Sequence, residues 1–233
     1  MATNATVLIT GAARGIGLEL TRQYAESGHT VIATARNPGA TTLVDLRRDF
    51  PGKVETFGLE VTDAGSITAL AESLAGRPLQ LLINNAGSFA SKAHGLDDLE
   101  AEAWLEELHI NTVSPFMVTR ALIGNLKAAG NSTVAMMSSK MGSMSDNAAG
   151  GAYAYRSSKA GLNAVVCSLA HDLADDGITV VALHPGWVRT DMGGPNALID
   201  VQTSAVGLKR VLDGLQPAQG GRFFDYTGAD IPW

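Results

Sequence analysis

Tyr155 and Lys159 stand four residues apart in a segment whose apolar pattern predicts a helix over residues 153–175, so their side chains share one helical face. A tyrosine acts as an acid or base near neutral pH when its pKa falls well below about 10. A neighbouring lysine ammonium stabilises the phenolate and lowers that pKa. Tyr153 does not have this relation to the lysine. The spacing therefore predicts proton transfer by Tyr155, with Lys159 as its electrostatic partner.

A second chemical signal is the glycine-rich run Thr10–Gly17 (TGAARGIG), which follows a short apolar segment and precedes a helical pattern. Gly11 permits a tight turn, Gly15 lets a pyrophosphate approach the backbone, and Gly17 allows close packing of a helix on a strand. The N–H groups that open the helix, from Ile16 onward, are free to bind phosphate. The glycine spacing departs from the common dinucleotide fingerprint, so a simple turn is the alternative interpretation.

Short apolar or β-branched segments alternate with helical patterns along the chain, as in folds with a parallel sheet. The predicted strands are Thr6–Thr10, Thr30–Thr34, Val54–Leu59, Leu79–Ile83, Thr133–Met137, Ile178–Leu183 and a short edge strand at Gly221–Phe224. The predicted helices are at 15–27, 64–75, 99–110, 114–129, 153–175 and 203–215. We expect a single α/β domain over residues 1–233. Its architecture would be a Rossmann-like, doubly wound, mostly parallel seven-stranded sheet with helices on both faces.

Two irregular segments, Ser138–Ala152 and Pro185–Gln202, each follow a predicted strand. In open α/β folds, ligands bind at the carboxyl edge of the sheet, where the strands end. The two segments are therefore expected to lie beside the glycine-rich run at that edge, and to bring Tyr155 and Lys159 to a bound ligand.

Four motifs occur in a fixed order: T-G-x-x-x-G-x-G from Thr10, N-N-A-G at Asn84–Gly87, Y-x-x-x-K at Tyr155–Lys159, and P-G at Pro185–Gly186. In these motifs the chain resembles the short-chain dehydrogenase/reductase family, over residues 10–190. Its ending, Phe224–Trp233, is most similar to the C-factor-like and sniffer-like carbonyl reductase branch. The resemblance implies an NADP(H)-dependent oxidoreductase that interconverts a ketone or aldehyde and an alcohol.

The resemblance also implies the roles of the catalytic residues. Ser139, three residues before a glycine, would orient the substrate oxygen, with Ser138 as the alternative. Lys159 would bind the ribose hydroxyls of the nicotinamide nucleotide, and Asn111 would kink its helix and hold a water in a proton relay to the lysine. Sixteen residues separate Ser139 from Tyr155. This is longer than usual in the family and suggests a Gly/Ala-rich excursion near the pocket.

The choice of nicotinamide cofactor is indicated by two arginines. Ala33–Asn37, after the second predicted strand, contains no carboxylate of the kind that binds the ribose 2′-hydroxyl of NAD. Arg36 in this segment and Arg14 in the glycine-rich run could bind a 2′-phosphate, which predicts NADP(H). Glu60 and Val61 stand where the family often has Asp-Val beside the adenine. The remaining cofactor contacts implied by the resemblance are Gly11, Gly15, Ile16, Gly17, Asn85, Ala86, Gly87, Tyr155, Lys159, Pro185, Gly186, Trp187, Val188 and Thr190.

The candidate substrate pocket is apolar and aromatic, which predicts a small apolar or aromatic carbonyl or alcohol as substrate. Its residues are Phe89, Met141, Met144, Tyr153, Trp187 and Met192. The stretch between Thr190 and the next predicted helix is short, so we expect a rather open site with a broad substrate range.

Composition and charge exclude several other classes. The net charge is −6 and no Lys/Arg cluster occurs, so binding to nucleic acid or an anionic membrane is not expected. The histidines lack metal-ligand spacing, so no metal site is implied. The single cysteine, Cys167, cannot form an internal disulfide, and a cytoplasmic protein is expected. The acidic residues within Leu96–Leu108, Glu107 among them, predict a solvent-facing helical surface.

Assembly and the non-enzymatic alternative depend on resemblance alone. Relatives use the helices at 99–129 and 153–175 for packing between subunits, which implies a homodimer or homotetramer. The alternative function is an NADP-binding signalling or regulatory protein that retains the fold. The presence of Ser139, Tyr155 and Lys159 favours the enzyme.

Overall fold

The fold is built on one parallel sheet. The computed structural model describes residues 4–93 and 95–233, and within them seven strands pair in the order β3-β2-β1-β4-β5-β6-β7. The strands are β1 Thr6–Thr10, β2 Thr30–Ala35, β3 Val54–Gly58, β4 Leu81–Asn84, β5 Ser132–Met137, β6 Ile178–His184 and β7 Phe223–Asp225. Each neighbouring pair is parallel. The expected doubly wound α/β fold is confirmed, and the sheet is parallel throughout these pairs.

Helices cover both faces of the sheet because both faces of its strands are apolar. The helices are α1 Gly15–Glu26, α2 Thr41–Asp49, α3 Ala64–Ser73, α4 Ala101–Leu108, α5 Ser114–Ala121, α6 Ile123–Ala128, α7 Tyr153–Asp172 and α8 Val201–Asp213. Val7 and Ile9 of β1 pack in one buried cluster with residues of α1, α2 and α8. Leu8, between them, packs in the other with residues of α3, α5, α6 and α7. Alternate side chains of one buried strand therefore supply two cores.

One helix of the structure was not predicted, and two predicted helices differ from those observed. The helix α2 was not predicted, because only Leu43 and Leu46 of this short segment are buried and they give little periodic signal. The helix expected at 99–110 begins at Ala101, and from His109 to Val113 it continues as one π-helical segment. The helix expected at 114–129 is interrupted at Leu122, where α5 ends and α6 follows.

The carboxyl ends of the central strands bring the candidate functional segments together. β1 runs into the glycine-rich loop, β4 into Asn85–Gly87, β5 into Ser138–Gly142 and β6 into Pro185–Thr190. Because all four strands are parallel, these segments meet at one edge of the sheet, as expected. In the described part of the chain, no helix combines the length and apolar character needed to cross a bilayer.

His184, at the carboxyl end of β6, makes the stability of the fold depend on pH. Burial lowers the pKa of His184 to about 4, and the nearby Asp225 carboxylate only partly opposes this. Below pH 6.5 the unfolded chain binds a proton that the folded chain does not take up until about pH 4. The free energy of unfolding should therefore fall as the pH decreases through this window, by up to about 3 kcal/mol.

Urea unfolding at a series of pH values measures this contribution. Replacing His184 with Gln should flatten the curve between about pH 6.5 and pH 4. His171→Gln, in an exposed position late in α7, is the matched control and should leave the curve unchanged. An equal slope in wild type and His184→Gln would contradict the assignment.

Candidate active site

The glycine-rich loop has the backbone geometry that its sequence predicts. Gly11 and Gly15 adopt positive φ angles of 66° and 55°, which other residues rarely adopt. A Cβ on Gly17 would lie 2.5 Å from Gly11 O and 2.5 Å from Asn85 Nδ2, so only glycine fits there. No side chain caps the first turn of α1, which leaves the N–H groups of that turn available to an anion.

Asn85 fixes this loop to the end of β4. Its side-chain amide donates to Thr10 O at 2.8 Å and to Gly11 O at 3.3 Å. In return, the hydroxyl of Thr10 accepts from the backbone N–H groups of Asn85 and Ala86, each at 3.0 Å. The side-chain amide of Asn85 therefore holds the glycine-rich loop. The backbone after Asn85, at Ala86 and Gly87, continues toward Tyr155 and Lys159.

The two arginines expected to bind a 2′-phosphate are both solvent-exposed. Arg36 directly follows β2. Arg14 lies at the start of α1 and forms an ion pair with Asp191 on the segment after β6, at 2.5 Å. Both side chains of this pair are largely exposed, so the pair contributes little stability and Arg14 can exchange its partner.

The other predicted cofactor contacts frame the same cleft. A Cβ on Gly15 would lie 3.5 Å from Cγ2 of Thr190, so the glycine-rich loop and the segment Pro185–Thr190 face each other. Gly186 has a positive φ of 85°, and Val188 pairs with Ile199 to shape this segment. Ile16 is partly buried at the start of α1.

Glu60 and Val61, which were predicted to contact the adenine, interact with other parts of the protein in the structure. The carboxylate of Glu60 accepts hydrogen bonds from the Thr62 hydroxyl at 2.8 Å and the Thr62 N–H at 3.2 Å. The neighbouring side chain of Val61 packs against the core beside α3. The carboxylate of Glu60 thus organises its own turn after β3, and the contact of this pair with adenine stays a prediction.

Ser139 and Tyr155 meet at the carboxyl end of β5. Tyr155 is buried, with 8% of its surface exposed, and Ser139 lies close enough to act on its phenol, where it lowers the pKa. The hydroxyl of Ser138 points elsewhere and donates to Asn163 Oδ1 at 2.6 Å. This geometry favours Ser139 over Ser138 as the serine beside the reacting atoms. Tyr153, at the start of α7, is 39% exposed.

Burial dominates the protonation of both catalytic groups. It raises the pKa of Tyr155 to about 12, while Ser139 acts in the opposite direction. It lowers the pKa of Lys159 to about 8. The ammonium of Lys159 donates to Met137 O at 2.8 Å and lies 5.8 Å from the centre of the Tyr155 ring. Desolvation is the largest influence on the phenol, so the expected lowering of the Tyr155 pKa by Lys159 stays a prediction.

Asn111 lies at the centre of the π-helical segment and is fully buried. Its side chain accepts from Ser88 N at 2.9 Å and donates to Ser88 O at 2.8 Å and to Ser158 Oγ at 3.0 Å. A Cβ on Gly87 would lie 3.1 Å from Asn111 Oδ1 and 3.5 Å from Lys159 Nζ. The predicted asparagine therefore joins the segment after β4 to the catalytic helix, at a local irregularity typical of functional sites.

Phe89 covers the catalytic tyrosine. Its ring stacks on that of Tyr155 with 4.1 Å between the centroids and 21° between the planes. The other expected pocket residues, here called the rim, are exposed or half-buried: Met144, Trp187 and Met192 are 76%, 50% and 39% exposed, and Met141 is half-buried. This exposed rim supports the expectation of an open site above a covered phenol.

Glu107 is the residue that sequence reasoning misplaced. It was expected on a solvent-facing acidic surface, but it is only 1% exposed, and the preceding residues from Gly95 to Glu100 are not helical. Its carboxylate accepts from the hydroxyl of Ser91 at 2.6 Å. The available signal was its spacing, since it stands four residues before Asn111 and so shares a helical face with it.

Comparisons with known proteins agree with this geometry. The family model described as short chain dehydrogenase matches residues 5–197. C-signal from Myxococcus xanthus is 44% identical over 165 residues, which cover 71% of this chain and 99% of that protein. NADPH-bound carbonyl reductase from chicken fatty liver is 33% identical, with a TM-score of 0.92 and 100% of both chains covered. Carbonyl reductase Sniffer of D. melanogaster is 32% identical, with a TM-score of 0.91 and 100% of both chains covered.

Close packing of Gly142 holds the turn after Ser139 against α7. A Cβ at Gly142 would lie 2.7 Å from the carbonyl carbon of Lys159 and 2.8 Å from its Cβ. Gly142→Ala should therefore move this turn away from α7 and lower the free energy of unfolding by about 1–3 kcal/mol. Gly124→Ala, in α6 with open space around it, should be neutral or stabilising. Denaturant unfolding of the two variants measures the difference, and equal stabilities would contradict the packing.

Proposed function

Because the chain belongs to the short-chain dehydrogenase family, we propose that it is an NADP(H)-dependent oxidoreductase that interconverts a ketone or aldehyde and an alcohol. The observation that carries this proposal is the burial of Tyr155 and Lys159 beside Ser139, at the carboxyl edge of a parallel sheet. Such a group can position a carbonyl oxygen and exchange a proton with it.

The residues at the cleft fit a dinucleotide phosphate. Gly15 and Gly17 leave room for close approach at the uncapped start of α1, and Arg14 and Arg36 supply exposed guanidinium groups for a 2′-phosphate. The chicken carbonyl reductase with the similar fold was solved with NADPH bound. When bound, the cofactor supplies or accepts the hydride. The cofactor contacts are the residues named from the sequence, with Asn85 acting through the loop that it holds.

Proton transfer in this proposal involves four residues, each with its own role: Tyr155, Ser139, Lys159 and Asn111. Ser139 orients the substrate oxygen by a hydrogen bond. Tyr155, whose raised pKa keeps it protonated at neutral pH, donates its proton to that oxygen during reduction. Lys159, with a pKa lowered to about 8, can lose and regain a proton near neutral pH. Asn111 holds the segment beside the lysine, and its buried amide supports proton resupply from solvent.

The surroundings of the site support a small apolar or aromatic substrate. Phe89 stacks on the phenol, and the rim of Met144, Trp187 and Met192 offers exposed apolar surface. We also propose a cytoplasmic homodimer or homotetramer that packs through α4, α5, α6 and α7. Leu105 and Val113 support such packing, since they are 64% and 46% exposed near these helices.

Replacing Tyr155 with Phe removes the acid and leaves the ring that Phe89 contacts. We expect the rate of NADPH oxidation with a panel of aldehydes and ketones to fall by roughly a hundredfold or more, because general acid catalysis contributes about that much. Tyr24→Phe, on the buried face of α1 and away from the pocket residues, is the matched control and should retain activity. Full activity of Tyr155→Phe would overturn the mechanism. NADPH binding without turnover in the wild type would favour a binding or signalling protein.

The two exposed arginines predict the choice of cofactor. Arg14→Ala and Arg36→Ala should each weaken NADPH binding by roughly tenfold, while NADH binding changes little, because each loses a charged contact to the 2′-phosphate. Arg48→Ala, an exposed arginine at the far end of α2, is the control. Fluorescence titration with each nucleotide gives the dissociation constants. An equal loss of affinity for NADH would mean that the arginines do not bind the 2′-phosphate.

A further inference from the structure

Glu107 is a buried carboxylate with no role in the mechanism derived so far. It is 1% exposed, whereas its neighbour Glu106 on α4 is exposed. A charged group is removed from water at considerable cost unless hydrogen bonds compensate it. Its partner is Ser91 in the turn Ala90–Ala93, whose hydroxyl donates at 2.6 Å and whose N–H donates at 3.3 Å. Ser91 is itself 2% exposed, so this contact is sheltered from solvent.

Asn111 holds the same segment at Ser88, three residues before Ser91. It stands four residues after Glu107, beyond the end of α4, and makes two hydrogen bonds to the backbone of Ser88. The segment Ser88–Ser91 is thus attached at both ends to one helical surface. Phe89 lies between the two attachments, and its ring stacks on Tyr155. The position of this ring on the phenol therefore depends on both contacts.

The charge of Glu107 also reaches the catalytic pair. It acts to raise the pKa of Tyr155 and the pKa of Lys159, both of which lie on α7. On α4 itself, and just after it, the neighbouring ionisable groups Glu106 and His109 are exposed. In the turn, Ala90 and Ser91 carry no charge, and the charged residue Lys92 follows Ser91 in the sequence. A negative charge at Glu107 favours the protonated form of both catalytic groups.

We propose that Glu107 is a positioning residue for proton transfer: it holds Ser91 so that Phe89 covers Tyr155, and it presents a negative charge to the Tyr155–Lys159 pair. The proposal rests on the oxidoreductase function proposed above. It adds a residue that acts through others, because Ser91 and Phe89 lie between its carboxylate and the phenol. Its two effects, geometry and charge, can be separated by substitution.

Glu107→Gln removes the charge and keeps the shape. The pH at which carbonyl reduction declines on the basic side should move down by about half a unit or more, because Lys159 and the phenol of Tyr155 both lose their protons more readily. Ultraviolet titration of the phenolate in the protein without cofactor should show the same shift, with Tyr155→Phe identifying the signal. Glu106→Gln is the matched control and should leave both measurements unchanged.

Ser91→Ala and Glu107→Asp test the geometry with the charge retained. Each should raise KM several-fold, because Phe89 is no longer held on Tyr155, while the basic limb of the pH profile stays in place. Near-ultraviolet circular dichroism verifies that each variant is folded, and if Glu107→Gln does not fold, these two variants still test the positioning.

Two results would overturn the proposal. One is a pH profile and phenolate titration of Glu107→Gln identical to those of the wild type. The other is an unchanged KM in both Ser91→Ala and Glu107→Asp. Either result together with an inactive Tyr155→Phe leaves the proposed function standing. An active Tyr155→Phe would instead show that the proposed function itself fails.

Discussion

Tyr155 and Lys159 are held out of water, and this desolvation disfavours the charged form of each. It raises the pKa of the phenol to about 12 and lowers that of the ammonium to about 8. The neighbouring contacts act against this penalty: Ser139 acts to lower the pKa of the phenol, and Met137 accepts from the ammonium. Burial therefore keeps the proton on the tyrosine at neutral pH.

The surrounding backbone is shaped to keep this pair in place. Gly142 lets the turn after β5 touch α7, and Gly87 leaves room for Asn111 and Lys159. The π-helical segment carries Asn111 to the segment after β4, where its amide bonds both the N–H and the carbonyl of Ser88. The helix α7 is thus connected to the ends of β4 and β5. A methyl group added at Gly142, or loss of the Asn111 amide, would disturb these contacts.

The sequence predicted the sheet and the candidate catalytic residues because these depend on local patterns. Apolar strand segments, the glycine-rich loop and the Tyr155–Lys159 spacing each involve neighbours in the chain. Glu107 was misplaced because nearby acidic residues suggested solvent and its contact with Ser91 is not visible in the sequence; only its spacing from Asn111 indicated a buried face. The short helix α2 was missed since only Leu43 and Leu46 are buried in it. The direction of the Tyr155 pKa shift depends on how completely Phe89 and its neighbours exclude water. The spacing of residues in the sequence carries no information on this.

Titration of Tyr155 in the folded protein tests most directly whether burial governs this site. Isotope-labelled tyrosine Cζ resonances, assigned with Tyr155→Phe, report the ionisation of each phenol by NMR. With a pKa raised to about 12, Tyr155 should remain protonated at about pH 10, where an exposed tyrosine is half ionised. Half-ionisation of Tyr155 at or below about pH 10 in the folded protein would contradict the conclusion that desolvation controls its proton.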